Sequence, residues 1–331
     1  MKQVLDKLFK YQSLSREEAF QILSNLTTGK YNNSQMAAFM TVYLMRSITV
    51  EELEGFRDAM LELCVKVPVD EYNGIDLCGT GGDGKNTFNI STISSFVVAG
   101  AGQNVVKHGN YGVSSVSGSS NVLESMGAKF TNDIGTIKKS LDEAGICFLH
   151  APLFHPAMKN VGPVRRELGI KTFFNMLGPM VNPAMPKNQL VGVFSLELAR
   201  LYGYLYQKTD KHFVILHALD GYDEVSLTGG FKAIMNDHEE VFQPEDIGLK
   251  KLSAEDLYGG ETVEEAVAIF KSILNNEGTE PQVEAILANA GLAISVGKQI
   301  SISEGIEAAR ESIKSGKALQ SFRKFLAVNN S

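Results

Sequence analysis

Two strand-like segments each run straight into a loop of glycines and hydroxyl residues. This pair constrains the fold more than any other feature of the chain. The first reads Ile75-Asp76-Leu77-Cys78, then Gly79-Thr80-Gly81-Gly82-Asp83-Gly84-Lys85-Asn86-Thr87. The second reads Asn104-Val105-Val106-Lys107, then His108-Gly109-Asn110, then Ser114-Ser115-Val116-Ser117-Gly118-Ser119-Ser120. Between them a helix candidate opens at Asn89-Ile90-Ser91-Thr92. Glycine lets backbone N–H groups approach a ligand closely, and a helix N-terminus adds positive potential. Two such loops in tandem predict a cradle for a substrate with more than one phosphate group.

The surrounding texture is strand, glycine-rich loop, helix, repeated. Strands are expected at Ile75–Cys78, Asn104–Lys107, Cys147–His150, Leu190–Phe194, Phe213–Leu216, Glu224–Leu227 and Lys232–Met235. Helices are expected at Ser91–Ala101, Asn121–Met126, Ile134–Ala144, Leu196–Gln207, Val263–Asn275, Gln282–Val296 and Ser303–Ser315. Such alternation implies an α/β domain with a mostly parallel central sheet, whose ligands sit beyond the carboxyl ends of the strands. Residues 1 to about 67 read as helices only. Ser15-Arg16-Glu17-Glu18 and Thr49-Val50-Glu51-Glu52 have capping-box spacing, with apolar residues following at helical period. Residues 152–186 interrupt the alternation and hold six of the nine prolines. They read as a hinge and crossover. The expected division is a small helical domain over residues 1–70, joined by part of 152–186, and an α/β domain over 71–331.

The net charge of −7 opposes a general affinity for nucleic acid or an anionic membrane surface. The three cysteines, Cys64, Cys78 and Cys147, have neither paired nor metal-type spacing. The N-terminal stretch mixes charge with apolar residues and resembles neither a signal peptide nor a membrane span. The cytoplasm is the expected compartment.

Two familiar signatures overlap the first loop. Gly79 to Gly84 satisfies G-x-G-x-x-G, but the helix starts nearer Asn89 and the next strand ends at the cation Lys107 rather than at an acid. Gly79 to Asn86 approaches a phosphate-binding loop of the ATPase kind, but Asn86 stands where magnesium needs Ser or Thr. Lys107, read as sitting where strand meets loop, can reach a phosphate as a point charge. Asp223-Glu224 are adjacent carboxylates of the type that hold magnesium beside phosphates, with Asp83 or Ser91 as a further ligand; alone they would read as solvated turn acids. Arg165 and Arg166 are candidates for gripping a carboxylate or phosphate with two hydrogen bonds. Neighbours on a helix point apart, so one of the two is expected to face a site. His108 and His155 read as exposed loop histidines.

Taken together, Gly79-Thr80-Gly81-Gly82-Asp83, Asn89-Ile90-Ser91-Thr92, Lys107-His108-Gly109-Asn110 and Ser114-Ser115-Val116-Ser117-Gly118-Ser119 resemble the signatures of the anthranilate phosphoribosyltransferases. So do Val164-Arg165-Arg166-Glu167-Leu168-Gly169, Asn175-Met176-Leu177-Gly178-Pro179 and Asp223-Glu224. The resemblance implies a nucleoside phosphorylase/phosphoribosyltransferase-like fold and a homodimer paired through the helical domain. The implied reaction joins anthranilate to phosphoribosyl pyrophosphate (PRPP) in tryptophan biosynthesis. The implied PRPP contacts are Gly79, Gly82, Asp83, Thr87, Asn89, Ser91, Thr92, Lys107, His108, Gly109, Asn110, Ser114, Ser115 and Ser119. Mg2+, two ions per subunit, is implied on Ser91, Asp223 and Glu224. Anthranilate contacts are implied at Gly79, Asn110, His155, Met158 and Arg165, with Lys107 and Arg165 in catalytic roles. One departure is Ser120-Asn121, where the family commonly has Ala-Asp; it removes a negative charge near the cradle. Pyrimidine nucleoside phosphorylase is similar in fold, but that family resembles Lys-His-Ser followed by a glycine pair where this chain has Lys107-His108-Gly109-Asn110. A non-catalytic, nucleic-acid-binding relative would need a basic groove.

Overall fold

Seven strands form one sheet in a computed structural model that describes residues 1–112 and 117–330. They are β1 (Ile75–Gly79), β2 (Val105–Gly109), β3 (Ile146–His150), β4 (Asn188–Gly192), β5 (His212–Ala218), β6 (Phe231–Ile234) and β7 (Glu239–Phe242). The order is β3-β2-β1-β4-β5-β6-β7. The first five are parallel, and β6 and β7 are each antiparallel to the strand before. The inner parallel strands are buried along nearly their whole length. That is why they read as short apolar runs rather than as alternating patterns. Strand order reverses at the β1/β4 pair, which makes their carboxyl ends the topological switch point. Gly79 and Gly192 are register partners there.

Along the chain the helices are α1 (Lys2–Leu8), α2 (Arg16–Thr27), α3 (Asn33–Met45), α4 (Val50–Glu62), α5 (Ile90–Gly100), α6 (Ser119–Ser125), α7 (Ile134–Ala144), α8 (Ala151–Phe154), α9 (Gly162–Leu168), α10 (Phe174–Leu177), α11 (Leu196–Tyr206), α12 (Val263–Leu274), α13 (Glu280–Lys298), α14 (Ile302–Lys314) and α15 (Lys317–Asn329). The chain divides into two units. Met1–Lys66 with Pro152–Pro183 is helical, and Val67–Ala151 with Ala184–Ser331 carries the sheet.

In the sheet unit α5 and α13 pack against β1, β4 and β5. Phe96, Phe270, Phe322 and Phe325 join α5, α12 and α15 in one aromatic cluster. In the helical unit the capping boxes at Ser15/Glu18 and Thr49/Glu52 both form. Glu52 does more than cap. It is fully buried, pairs with Arg46 and accepts the Leu14 N–H at 2.9 Å. Phe56 and Phe173 stack with centroids 4.6 Å apart. The Val65 N–H donates to the Phe154 carbonyl at 2.8 Å, and the Asn160 amide donates to the Thr27 carbonyl at 2.6 Å. The proline-rich insertion is stitched to the N-terminal helices by these bonds.

One expected strand needs correction, and two elements were not expected. The strand expected at Glu224–Leu227 is not formed. Val225, Ser226 and Leu227 are all buried, which imitates a strand, but Leu227 has φ +60° and the backbone of Val225 bonds to a side chain instead of a ladder. The edge strand β7 and the final helix α15 went unread. α15 shows its helical period only once Ala318, Phe322, Phe325 and Val328 are seen on one buried face.

Candidate active site

The site in the sheet unit begins where β1 ends. Past Gly79 the chain turns through Gly81 and Gly82 at φ +66° and +78°, a region only glycine enters freely. The Thr80 N–H donates to the Gly192 carbonyl at 2.9 Å and ties the turn to β4. Asp223 is seated over both strand ends. A Cβ on Gly192 would stand 2.5 Å from the Asp223 carbonyl carbon, and one on Gly79 would stand 2.8 Å from its Cγ. Both positions must therefore lack a side chain. Asp223 Oδ2 accepts the Gly81 N–H at 2.6 Å. Glu224 Oε1 accepts the Ser91 N–H at 3.2 Å, in the first turn of α5. Backbone donors at a glycine turn and at a helix start thus converge on adjacent carboxylates.

Electrostatics makes this pair unusual. Burial, then the neighbouring charge of Asp83, pushes Asp223 up to about 7. Burial, then the charge of Asp223, pushes Glu224 up to about 8 against the opposing pull of Lys107. Glu224 Oε2 is buried with no hydrogen-bond partner among the described residues. Crowded acids and one orphaned oxygen fit a divalent cation, which would satisfy that oxygen and relieve the repulsion. No three metal-ligating side chains converge on a ready-made position among the described residues. Two adjacent carboxylates suit an ion such as magnesium, which takes one or two carboxylates and completes its shell with water and phosphate oxygens.

Asn289, which sequence reading missed, holds the acidic segment in place. Its Oδ1 accepts the Val225 N–H at 3.0 Å, and its Nδ2 donates to the Val225 carbonyl at 2.9 Å. The available signal was a lone amide within the apolar run Ala285–Ile294 of α13.

Lys107 and His108 were expected at or beyond a strand end, and the structure corrects both. β2 runs on through Gly109, so the two lie inside it, Lys107 2% exposed and His108 buried. The Lys107 ammonium donates to the Leu77 carbonyl. Burial lowers its pKa, while Asp76, Cys78 and Glu224 favour its charge. The His108 N–H donates to Asp76 Oδ1 at 3.2 Å. His155, expected to be exposed, is buried just ahead of the turn Pro156–Lys159.

The start of α5 is joined to the second glycine loop. Asn89 Nδ2 donates to the Ser117 carbonyl at 3.0 Å, and Ser117 Oγ donates to Asn89 Oδ1 at 3.3 Å. Ser119 Oγ donates to the Asn110 carbonyl at 3.3 Å. Thr87 bridges to Tyr258, and the Asn86 amide donates to the Gly260 carbonyl at 2.8 Å, so a second strap backs the first loop. Asp83 Oδ1 accepts the Lys85 N–H at 3.0 Å. Thr92 is buried in α5, and Gly109 closes β2 beside Ser119. Ser114 and Ser115 lie outside the described residues.

Arg165, His155 and Met158 belong to the helical unit. Arg165 donates to Asn175 Oδ1 at 3.3 Å and lies over the Phe174 ring, and no carboxylate of the described residues pairs with it. Burial lowers its pKa. A desolvated, unneutralised guanidinium is prepared for an anionic ligand. Arg166 is exposed. Met158 donates its N–H to the His155 carbonyl at 3.0 Å.

A helical unit and a mostly parallel sheet unit with buried acids at its switch point are the two parts of a glycosyl transferase of the family matched here. Residues 2–64 match the glycosyl transferase family helical bundle domain, and residues 71–319 match the glycosyl transferase family a/b domain. The anthranilate phosphoribosyltransferase of Christiangramia forsetii is 60% identical over 324 residues, covering 98% of each chain. That of Bacteroides thetaiotaomicron is 53% identical over 331 residues, covering both chains completely. Among solved structures, the Thermus thermophilus enzyme superposes with a TM-score of 0.92 at 32% identity, covering 99% of each chain. The Saccharomyces cerevisiae enzyme in complex with PRPP and Mg has a TM-score of 0.88 at 27% identity, covering 98% of this chain and 96% of that one. The chain belongs to the anthranilate phosphoribosyltransferase family.

Proposed function

We propose that this protein transfers the phosphoribosyl group of PRPP to the amine of anthranilate in tryptophan biosynthesis. The products are N-(5-phosphoribosyl)anthranilate and pyrophosphate. The observation that carries the reading is identity of 53% along the whole chain to an anthranilate phosphoribosyltransferase. The paired acids over the switch point agree with it. The same likeness favours this reaction over nucleoside phosphorolysis or nucleic-acid binding.

The aryl amine is neutral at pH 7 and needs no strong base to act as a nucleophile. The harder task is expelling pyrophosphate from the anomeric carbon while charge builds on its oxygens. N–H groups of the glycine loops donate to those oxygens, and the buried Lys107 ammonium adds positive potential beneath them. Magnesium, when bound, neutralises diphosphate charge; Asp223 and Glu224 would hold it with Ser91 or Asp83, and we propose two ions per subunit. The complex of the yeast enzyme with PRPP and Mg supports that use. Arg165 holds the anthranilate carboxylate and aims the amine at the face opposite the leaving group, an orientation effect. Gly79, Asn110, His155 and Met158 complete the anthranilate contacts. Gly82, Asp83, Thr87, Asn89, Ser91, Thr92, His108, Gly109, Ser114, Ser115 and Ser119 complete those to PRPP.

We also propose a homodimer paired through the helical unit. Phe9, Tyr11 and Met45 support it, being 61%, 79% and 77% exposed on that unit. The cytoplasm is the proposed compartment, a reading supported by the free thiols Cys64, Cys78 and Cys147.

Mixing the protein with anthranilate, PRPP and Mg2+ tests the reaction through the loss of anthranilate fluorescence. The expected result is PRPP-dependent decay with release of pyrophosphate. No decay here, together with turnover of uridine or thymidine plus phosphate, would transfer the assignment to the phosphorylases.

A further inference from the structure

The sheet opens between β1 and β2. Among the described residues these two strands share the single register pair Ile75↔Val105, whereas β1 stays in register with β4 from Ile75 through Gly79. Had the parallel ladder continued, its next bond would run from the His108 N–H to the Leu77 carbonyl. Side chains take both groups instead. The His108 N–H donates to Asp76 Oδ1 at 3.2 Å, and the Leu77 carbonyl accepts from the Lys107 ammonium. One acid and one base thus replace a rung of the sheet, two residues short of the Gly79 turn. Asp76 is fully buried, and its second oxygen is held by other neighbours. Gln189 Nε2, on β4, donates to Asp76 Oδ2 at 3.4 Å, and Gln189 Oε1 accepts the Tyr206 hydroxyl of α11 at 2.9 Å. The Cys78 thiol donates to the same Asp76 oxygen at 3.7 Å.

Three titratable groups act on the ammonium: Asp76, Cys78 and Glu224. Burial raises the Cys78 pKa well above the usual thiol range and keeps it protonated. Glu224 is bound to the Ser91 N–H as part of the acid pair. A buried cation without a paired anion is costly, so the counter-charge of Lys107 falls to Asp76. We propose that Asp76 is a positioning residue for the transfer reaction: by taking the His108 N–H it keeps the Leu77 carbonyl open for the Lys107 ammonium, and it holds that cation ready for the diphosphate of PRPP. A side chain without an acceptor at position 76 would let the His108 N–H close on the Leu77 carbonyl and unseat the ammonium. An amide there would keep the acceptor and remove only the counter-charge. An acid that merely filled the gap would act without reference to Lys107, so the two roles differ in whether the effect of changing Asp76 depends on Lys107.

The proposal rests on the functional reading above, and the test separates the two. Wild type, Asp76→Asn, Lys107→Met and the double variant are compared as full chains, first by melting temperature without metal or substrate, then by steady-state kinetics at saturating Mg2+. Each single variant leaves one buried charge unpaired and should melt about 5 °C lower; the double variant leaves neither and should recover most of that loss. In Asp76→Asn the kcat/KM for PRPP should fall about tenfold, the scale of one lost charge-assisted hydrogen bond, while the anthranilate KM at saturating PRPP holds. In the Lys107→Met background the same change should alter kcat/KM for PRPP by less than about twofold, because its effect passes through the ammonium. Where Lys107→Met is too slow to assay, PRPP binding by calorimetry carries the same cycle. Equal losses in both backgrounds overturn the proposal. So does an Asp76→Asn enzyme with wild-type or improved kcat/KM for PRPP, or a double variant whose melting losses simply add. Should Asp76→Asn fail to fold alone, a folded double variant supports the pairing, and a double variant that also fails to fold overturns it. A wild type that does not turn over PRPP brings down the functional reading and with it the role in transfer, and the melting cycle alone then tells whether Asp76 and Lys107 are partners.

Discussion

Gly192→Ala puts the geometry of the acid pair to its strictest test. The added Cβ would stand 2.5 Å from the Asp223 carbonyl carbon and nearer still to its oxygen. Carbon atoms pack at about 3.5–4.0 Å, so one partner must move by about 1 Å or more. Gly192 ends a strand paired on both sides, to β1 and β5, and resists. The acidic segment must lift instead. That breaks the 2.6 Å bond from Gly81 to Asp223 and draws Glu224 from the Ser91 N–H. A displacement of about 1 Å in reacting geometry can cost about 100-fold in rate, equivalent to about 2.7 kcal/mol in the barrier. The expected outcome is a fall in kcat/KM of that order, with a much higher magnesium requirement, read by anthranilate fluorescence across a Mg2+ series. Gly203→Ala is the control. Its Cβ would meet only the Ile234 side chain at 3.5 Å, an ordinary contact, and alanine gains about 0.5–1 kcal/mol inside a helix. Wild-type kcat/KM and metal dependence in Gly192→Ala would refute the claim that Asp223 must rest on that strand end.

Arg165→Ala is expected to raise the anthranilate KM more than tenfold, on the scale of a lost charge-assisted pair, with a smaller change for PRPP. An unchanged anthranilate KM would remove Arg165 from its role. Asp223→Asn combined with Glu224→Gln should leave activity that demands far more magnesium; wild-type metal dependence would reduce both to ordinary turn acids. Stability should also track these acids. Their folded pKa values, about 7 and about 8, lie above the unfolded values of about 3.9 and 4.3, so their contribution is full below pH 4 and is lost as pH rises through 7 to 8. The double variant should therefore gain in melting temperature over metal-free wild type between pH 5 and 8.5. Mg2+ should restore the wild type at pH 8 and do little at pH 5. A melting-temperature difference that stays flat over that range would mean the carboxyls titrate normally.

The glycine loops, the two helix caps and the acid pair were all legible in the chain, because each is a local signal spanning a few residues. The errors share one cause. Glu224–Leu227 passed for a strand because burial alone imitates one, and only Asn289, 64 positions from Val225, shows where that backbone bonds. Lys107 passed for a strand-end residue and His108 for a loop residue because nothing beside them in sequence shows how far β2 runs or what covers it.

Local order in this protein follows from short-range rules of backbone geometry: helical period, capping side chains, and glycine wherever the chain turns left-handed. Those rules were enough to announce an α/β unit with two glycine-rich loops. Tertiary structure decided the chemistry. Gly81 and Asp223 are 142 positions apart, and Ser91 and Glu224 are 133 apart. Only folding buries the two acids together and shifts their protonation, because desolvation and close charge depend on neighbours in space and not on neighbours in sequence.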